Sequence, residues 1–174
     1  IALAYAGAGE DGFISTFTIS SSGVITPIQI QNHANTSEED DVANVEHDRH
    51  RGIHNSLVQV DSDTYALAYE GLDRDGFIST FTISSSGVIT PIQIQNHANT
   101  SEEDDVANIE HDEERGMENS LVQVNSNTIA LAYAGAGEDG FISTFTISSS
   151  GVITPIQIQN HANTSEEDDV ANVE

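Results

Sequence analysis

The sequence predicts an all-β chain of tandem four-stranded antiparallel meanders, and three observations predict it. Gly12, Gly76 and Gly140 mark a stretch that recurs with period 64. Each recurrence carries short runs rich in β-branched and aromatic residues, separated by turn formers. In one such run Tyr65, Leu67 and Tyr69 alternate with Ala66 and Ala68. That alternation belongs to a strand with one bulky face and one nearly flat face.

Within the complete middle unit the first strand is NSLVQV (Asn55 to Val60), and the second is TYALAYEG (Thr64 to Gly71). GFISTFTIS (Gly76 to Ser84) is the third and GVITPIQIQN (Gly87 to Asn96) the fourth. The connections are short: DSD or NSN after the first strand, GLDRDG or GAGEDG after the second, SSSG after the third. Connections of this length pair successive strands as hairpins. Pro27, Pro91 and Pro155 fall in the fourth strand, and a residue without a backbone donor places that strand at a sheet edge. An acidic segment follows, long for a connection without structure of its own, and its DVANVEHD portion supplies residues for one further short strand. The expected core includes Tyr65, Leu67, Tyr69, Phe77, Phe81 and Ile83, with the flat alanine face open to close approach by a neighbouring sheet.

Ile1 to Glu46 is identical at all 46 positions to Ile129 to Glu174, whereas Tyr65 to Glu110 differs from it at six. Two periods follow, 64 for the unit and 128 for a super-repeat made of one odd and one even unit. Residues 1–46 form a partial odd repeat with its acidic connection, 47–110 an even repeat preceded by an odd linker, and 111–174 an odd repeat preceded by an even linker. Such a pattern is expected of a window on a longer periodic chain. It also makes sameness between copies uninformative, because recent duplication preserves a surface loop and a core strand alike.

Asp and Glu number 29 against four arginines and no lysine, a net charge of −25. A surface this negative repels phosphate backbones, so nucleic acid is not an expected partner. No apolar run approaches the roughly 18 residues of a membrane span, so membrane insertion is not expected either. Without lysine there is no Schiff-base or P-loop chemistry, and without cysteine no disulfide or thiolate metal site. The serine-rich turns have no histidine or carboxylate at a spacing that marks a nucleophile. The chain is read as non-enzymatic and as requiring no cofactor.

Calcium is the one ion the composition admits, since it takes six to eight oxygen ligands. Glu38, Glu39, Asp40 and Asp41 stand together in an acidic loop that recurs in all three units, and Asp73 and Asp75 have the alternate spacing of calcium loops. Adjacent carboxylates on an extended chain point in alternating directions, and the odd units replace LDRDG with AGEDG. A solvated acidic loop and a plain turn are therefore the simpler readings. The seven histidines are read as exposed, because the even linker keeps only His111 of the trio His47, His50 and His54. The triplet NTS at Asn35, Asn99 and Asn163 matches a glycosylation sequon and also reads as a polar loop.

The two linkers differ in charge. HDRHRGIHNS (His47 to Ser56) becomes HDEERGMENS (His111 to Ser120), so Arg49, His50 and His54 give way to Glu113, Glu114 and Glu118. Opposite charge at equivalent positions suits alternate neighbours in a stacked array, where a slipped register would oppose glutamates. Neutral drift on a solvated loop is the plainer account.

NSLVQVDSDTYALAYEG followed by DGFISTFTISSSGVIT resembles the blade repeats of secreted bacterial β-propeller proteins, over the greater part of each unit. The resemblance implies four-stranded blades, an extracellular or cell-surface setting and a structural or binding role; it carries over no catalytic residues. Common blades run about 40–50 residues and closed rings need about four to eight of them, which sets an open stacked β array beside the closed form. The expectation is a structural protein that associates with copies of itself in a filament or surface layer. The alternative is a calcium-dependent adhesion propeller that binds a cell-surface glycan.

Overall fold

The computed structural model describes residues 1–28, 44–48, 51–92, 108–112 and 114–162. Among these the chain is all-β, with thirteen strands in three antiparallel sheets. The first sheet holds β1 (Ala2–Ala6), β2 (Gly12–Ile19), β3 (Ile25–Pro27) and β4 (Asn44–Asp48). The second holds β5 (Ile53–Gln59), β6 (Thr64–Glu70), β7 (Gly76–Ile83), β8 (Ile89–Pro91) and β9 (Asn108–Asp112). The third is a meander of β10 (Met117–Asn125), β11 (Thr128–Ala134), β12 (Gly140–Ile147) and β13 (Ile153–Ala162). No helix among the described residues is long and apolar enough to cross a membrane.

The hairpins form where the turn residues place them. In the SSSG turn Ser84 Oγ accepts the Val88 N–H at 3.0 Å, and Gly87 turns the chain with a φ of +84° that a side chain would strain. One register is shared by all three units, aligning Tyr5 with Phe13, Tyr69 with Phe77 and Tyr133 with Phe141. The prolines lie on the last strand of each path, opposite Phe17, Phe81 and Phe145, where no further partner needs their missing donor.

The fourth position of the sheet is filled in two ways. In the first sheet β3 covers only the far end of β2, pairing Ile19 with Ile25 and Phe17 with Pro27. β4 then completes the near end, pairing Ser15 with Asn44 and Phe13 with Glu46. β8 and β9 divide β7 likewise, so the acidic segment does contribute the expected short strand. In the third sheet β13 runs the whole length of β12 and pairs Phe141 with Asn160.

The sheets stack face to face. Ala66, Ala68, Ile78 and Val60 of the second sheet pack against Ile129, Leu131, Phe145 and Ile147 of the third. Leu67, Tyr69, Phe77 and Phe81 on the opposite face of the second sheet pack against Ile14 of the first. Each junction thus joins the flat face of one sheet to the bulky face of the next. Five of the six expected core residues are buried, and Tyr65 is partly so. Burying each large apolar side chain contributes roughly 1.5–3 kcal/mol. The arrangement is open: it does not close on itself.

Candidate functional site: the inter-sheet junction

The most built feature of the molecule is the junction at which a linker passes from one sheet to the next. His47, near the end of β4, leaves the first sheet and lays its ring on Tyr69 of the second, with centroids 4.6 Å apart at 64°. Tyr69 in turn stacks on Phe77 at 5.6 Å. His111 repeats the arrangement on Tyr133 at 4.5 Å and 68°, and Tyr133 stacks on Phe141 at 5.5 Å. Edge-to-face contact of this kind suits a ring quadrupole.

Paired glycines make room for these rings. A Cβ on Gly12 would meet the Gly52 Cα at 2.8 Å, and one on Gly76 would meet the Gly116 Cα at 2.9 Å. At this approach the Gly52 N–H donates to the Glu10 carbonyl at 2.7 Å, and the Gly116 N–H to the Arg74 carbonyl at 2.8 Å. Asn55 Nδ2 and Asn119 Nδ2 donate to the Gly52 and Gly116 carbonyls. Asp48 Oδ1 accepts the Arg51 N–H and Asp112 Oδ1 accepts the Arg115 N–H, each at 2.9 Å. These bonds tie down a backbone that no strand pairing satisfies.

His47 and His111 are therefore buried, contrary to the exposed setting expected of them. A histidine near a charged linker reads as solvated, but here β4 and β9 aim it into the next sheet and glycine leaves the space. No ring nitrogen of either has a hydrogen-bond partner among the described residues. Burial pushes both imidazoles from 6.5 down to about 3; the side chains of Asn55 and Asn119 pull the other way without offsetting it. Both rings are neutral at ordinary pH and act as packing elements.

Among the described residues Arg51, His54 and Arg115 of the linkers face glutamates of the three sheets. Arg51 holds Glu70 at 2.8 Å and reaches back to Glu10 of the first sheet at 3.0 Å. His54 Nε2 lies 3.6 Å from the buried Glu70 carboxylate. In the odd unit Ala134 stands where Glu70 does, and Glu118 stands exposed where His54 does. Arg115, whose preceding sheet carries Arg74 at the position of Glu10, takes Glu138 of its own sheet at 3.1 Å. Glu114 is exposed and donates its backbone N–H to Asp112 Oδ1 at 2.9 Å. Arg49, His50 and Glu113 lie outside the described residues.

Of the calcium candidates, Asp73 is exposed on a short 3-10 turn, Leu72–Arg74, and Asp75 closes that turn. Among the described residues no group of three or more His, Cys, Asp or Glu side chains is placed to hold a metal ion. Glu38, Glu39, Asp40 and Asp41 lie outside the described residues.

Sequence reasoning missed the junction because it weighed the positions at which the linkers differ. The positions they share, His-Asp, Arg-Gly and Asn-Ser, are the ones that build it. They persist while Arg49, His50, Ile53 and His54 give way to Glu113, Glu114, Met117 and Glu118, but duplication preserves residues of any role, so the sequence carried no signal specific to the junction. In comparisons with known protein families and with curated proteins, no family model and no curated protein matches the chain.

Proposed function

We propose that the chain is a structural repeat protein of propeller-blade-like meanders, associating with copies of itself in an extended extracellular or cell-surface filament or layer. The observation that carries this reading is that two successive junctions use one contact rule: His47 on Tyr69 and His111 on Tyr133, a glycine pair beneath each, flat face on bulky face. Units joined by a constant rule add without limit unless the rotation closes a ring. The polar chemistry of the junction is spent on holding backbone and rings in place. Clustered carboxylates in the recurring acidic segments keep such an array soluble through mutual repulsion.

Electron microscopy of the native material tests the proposal. Fibres or sheets with a spacing set by the repeating unit are the expected result. Discrete closed rings whose melting temperature rises with calcium and falls with a chelator would instead favour a calcium-dependent adhesion propeller.

A further inference from the structure

The two internal junctions share their packing but not their charges. At the first, Arg51 stands between two carboxylates that belong to different sheets. Its Nε and Nη2 each lie 2.8 Å from Glu70 Oε1 on β6, and its Nη1 lies 3.0 Å from Glu10 Oε2 in the turn between β1 and β2. One guanidinium thus ties the second sheet to the first. At the second junction the equivalent arginine, Arg115, pairs with Glu138 in the turn between β11 and β12. Glu138 belongs to the sheet that Arg115 leads into, so that pair does not cross the junction.

The backbone places the two junctions alike. The Glu10 carbonyl accepts the Gly52 N–H at 2.7 Å, and the Arg74 carbonyl accepts the Gly116 N–H at 2.8 Å. Position 74 therefore stands to Arg115 as position 10 stands to Arg51, but it carries a cation and offers no carboxylate. A second exchange accompanies the first. The Glu70 side chain is 1% exposed, and a carboxylate so far from water needs a fixed counterion. By taking two N–H groups of Arg51 it aims the guanidinium, so little further side-chain order is lost when Nη1 meets Glu10. A pair built into such a network is worth more than an isolated surface pair. In the third sheet Ala134 occupies the position of Glu70, and no carboxylate there aims Arg115.

We propose that the residue at positions 10 and 74 decides whether the junction after it is clamped: Glu10 holds Arg51, which Glu70 positions, and so clamps the second sheet to the first, whereas Arg74 leaves the next junction without such a clamp. Glu10 and Arg51 form the clamp, and Glu70 is a positioning residue. Odd and even units then have different tasks. The packing rule is constant from junction to junction, and the clamp alternates over it. Under the array reading, on which this last step rests, the cohesive block is the 128-residue super-repeat, an odd sheet locked to the even sheet that follows it. The clamp itself is a property of the single chain.

Amide hydrogen exchange followed by NMR on the 174-residue chain reads each junction at an equivalent bond, Gly52 N–H at the first and Gly116 N–H at the second. Glu10→Arg and Arg74→Glu each give one turn the residue that the other carries at nearly the same φ, +74° and +78°, so neither adds backbone strain. At about 0.01 M salt, where screening is weak, Glu10→Arg is expected to speed exchange at Gly52 about three- to fivefold and to leave Gly116 at its wild-type rate. Arg74→Glu should slow Gly116 by about twofold and leave Gly52 unmoved. Both differences should shrink near 0.5 M salt, as a packing change would not. In a Glu70→Ala background Glu10→Arg should shift Gly52 by less than about twofold, since Arg51 is no longer aimed. Glu10→Gln serves in place of Glu10→Arg should that variant misfold. An unchanged rate at Gly52, or equal acceleration at both glycines, would overturn the clamp. A Glu10→Arg effect undiminished by Glu70→Ala would overturn the positioning role of Glu70. Either failure leaves self-association standing, because exchange is measured within one chain and microscopy tests the assembly.

Discussion

The first and third sheets draw on identical stretches, Ile1 to Glu46 and Ile129 to Glu174, and differ in which of the shared residues they bury. Ile14 is 0% exposed and its copy Ile142 is 43% exposed, whereas Ile1 is 74% exposed and its copy Ile129 is 0%. The difference extends to the backbone: Ile14 pairs with Val45 of β4, but Ile142 pairs with Gln159 of β13. A residue's burial in this molecule is thus a property of its neighbour and not of its own strand. In the first sheet β4, whose His47 packs on the second sheet, takes the edge position beside Ile14, and in the third sheet the chain that continues from β12 takes it. Main-chain pairing accepts either occupant because the ladder bonds are the same for both.

Acid should act most strongly on this contrast. His47 and His111 have folded pKa values lowered to about 3 from 6.5, so between those values the unfolded chain binds protons that the folded junctions refuse. Their contribution is complete above pH 6.5 and is lost as pH falls towards 3. The two together should remove about 5 kcal/mol between pH 7.5 and 4.5. Urea unfolding across that range measures it, and the double variant His47→Phe, His111→Phe should flatten the profile. A wild-type profile that is already flat would mean the rings are not buried.

Equivalent truncations in the two identical stretches should come next in size. Ile14→Ala should cost about 2–5 kcal/mol as a buried cavity, and Ile142→Ala about 0.5 kcal/mol or less in the dilute chain. Equal costs would contradict the different burial of Ile14 and Ile142. Gly87→Ala and Gly23→Ala share the strain of positive φ, +84° and +82°, so their difference isolates the contact with the Ile28 side chain, which lies over Gly87. Gly87→Ala should be worse by about 1–3 kcal/mol in thermal or urea unfolding. Thr16 Oγ1 donates to the Gly87 carbonyl at 2.8 Å, and the smallest contrast is Thr16→Val, about 1–2 kcal/mol through that carbonyl left unpaired, against Thr144→Val, near zero. A double-mutant cycle with Ile28→Ala would show whether this bond and the Ile28 contact act together.

The strands, their turns, the proline edge and the flat and bulky faces were legible because each depends on near neighbours in the chain. Tyr65 to Tyr69 announces its two faces through alternation alone. The junction was not legible, because His47 and Tyr69 belong to different sheets with a linker between them, and their meeting depends on which face of which sheet comes next. The change of His54 to Glu118 stands beside a second change that the sequence shows without connecting the two. At 54 its partner is Glu70 across the β5–β6 pair, and recognising this needs the bulge between Ile53 and Ser56 that brings His54 over Glu70. The change of Glu70 to Ala134 was in plain view, yet only register connects it to the change at 54.

Local order was determined by the chain: strand alternation, left-handed turns at glycine and a donorless proline act over short distances in sequence and set the successive hairpins of each unit. Which face is covered, which segment completes the edge and whether a histidine is neutral were settled by contacts between units. Apolar burial has no direction and ladder bonds have no sequence preference, so one identical stretch reaches two different environments according to what packs beside it.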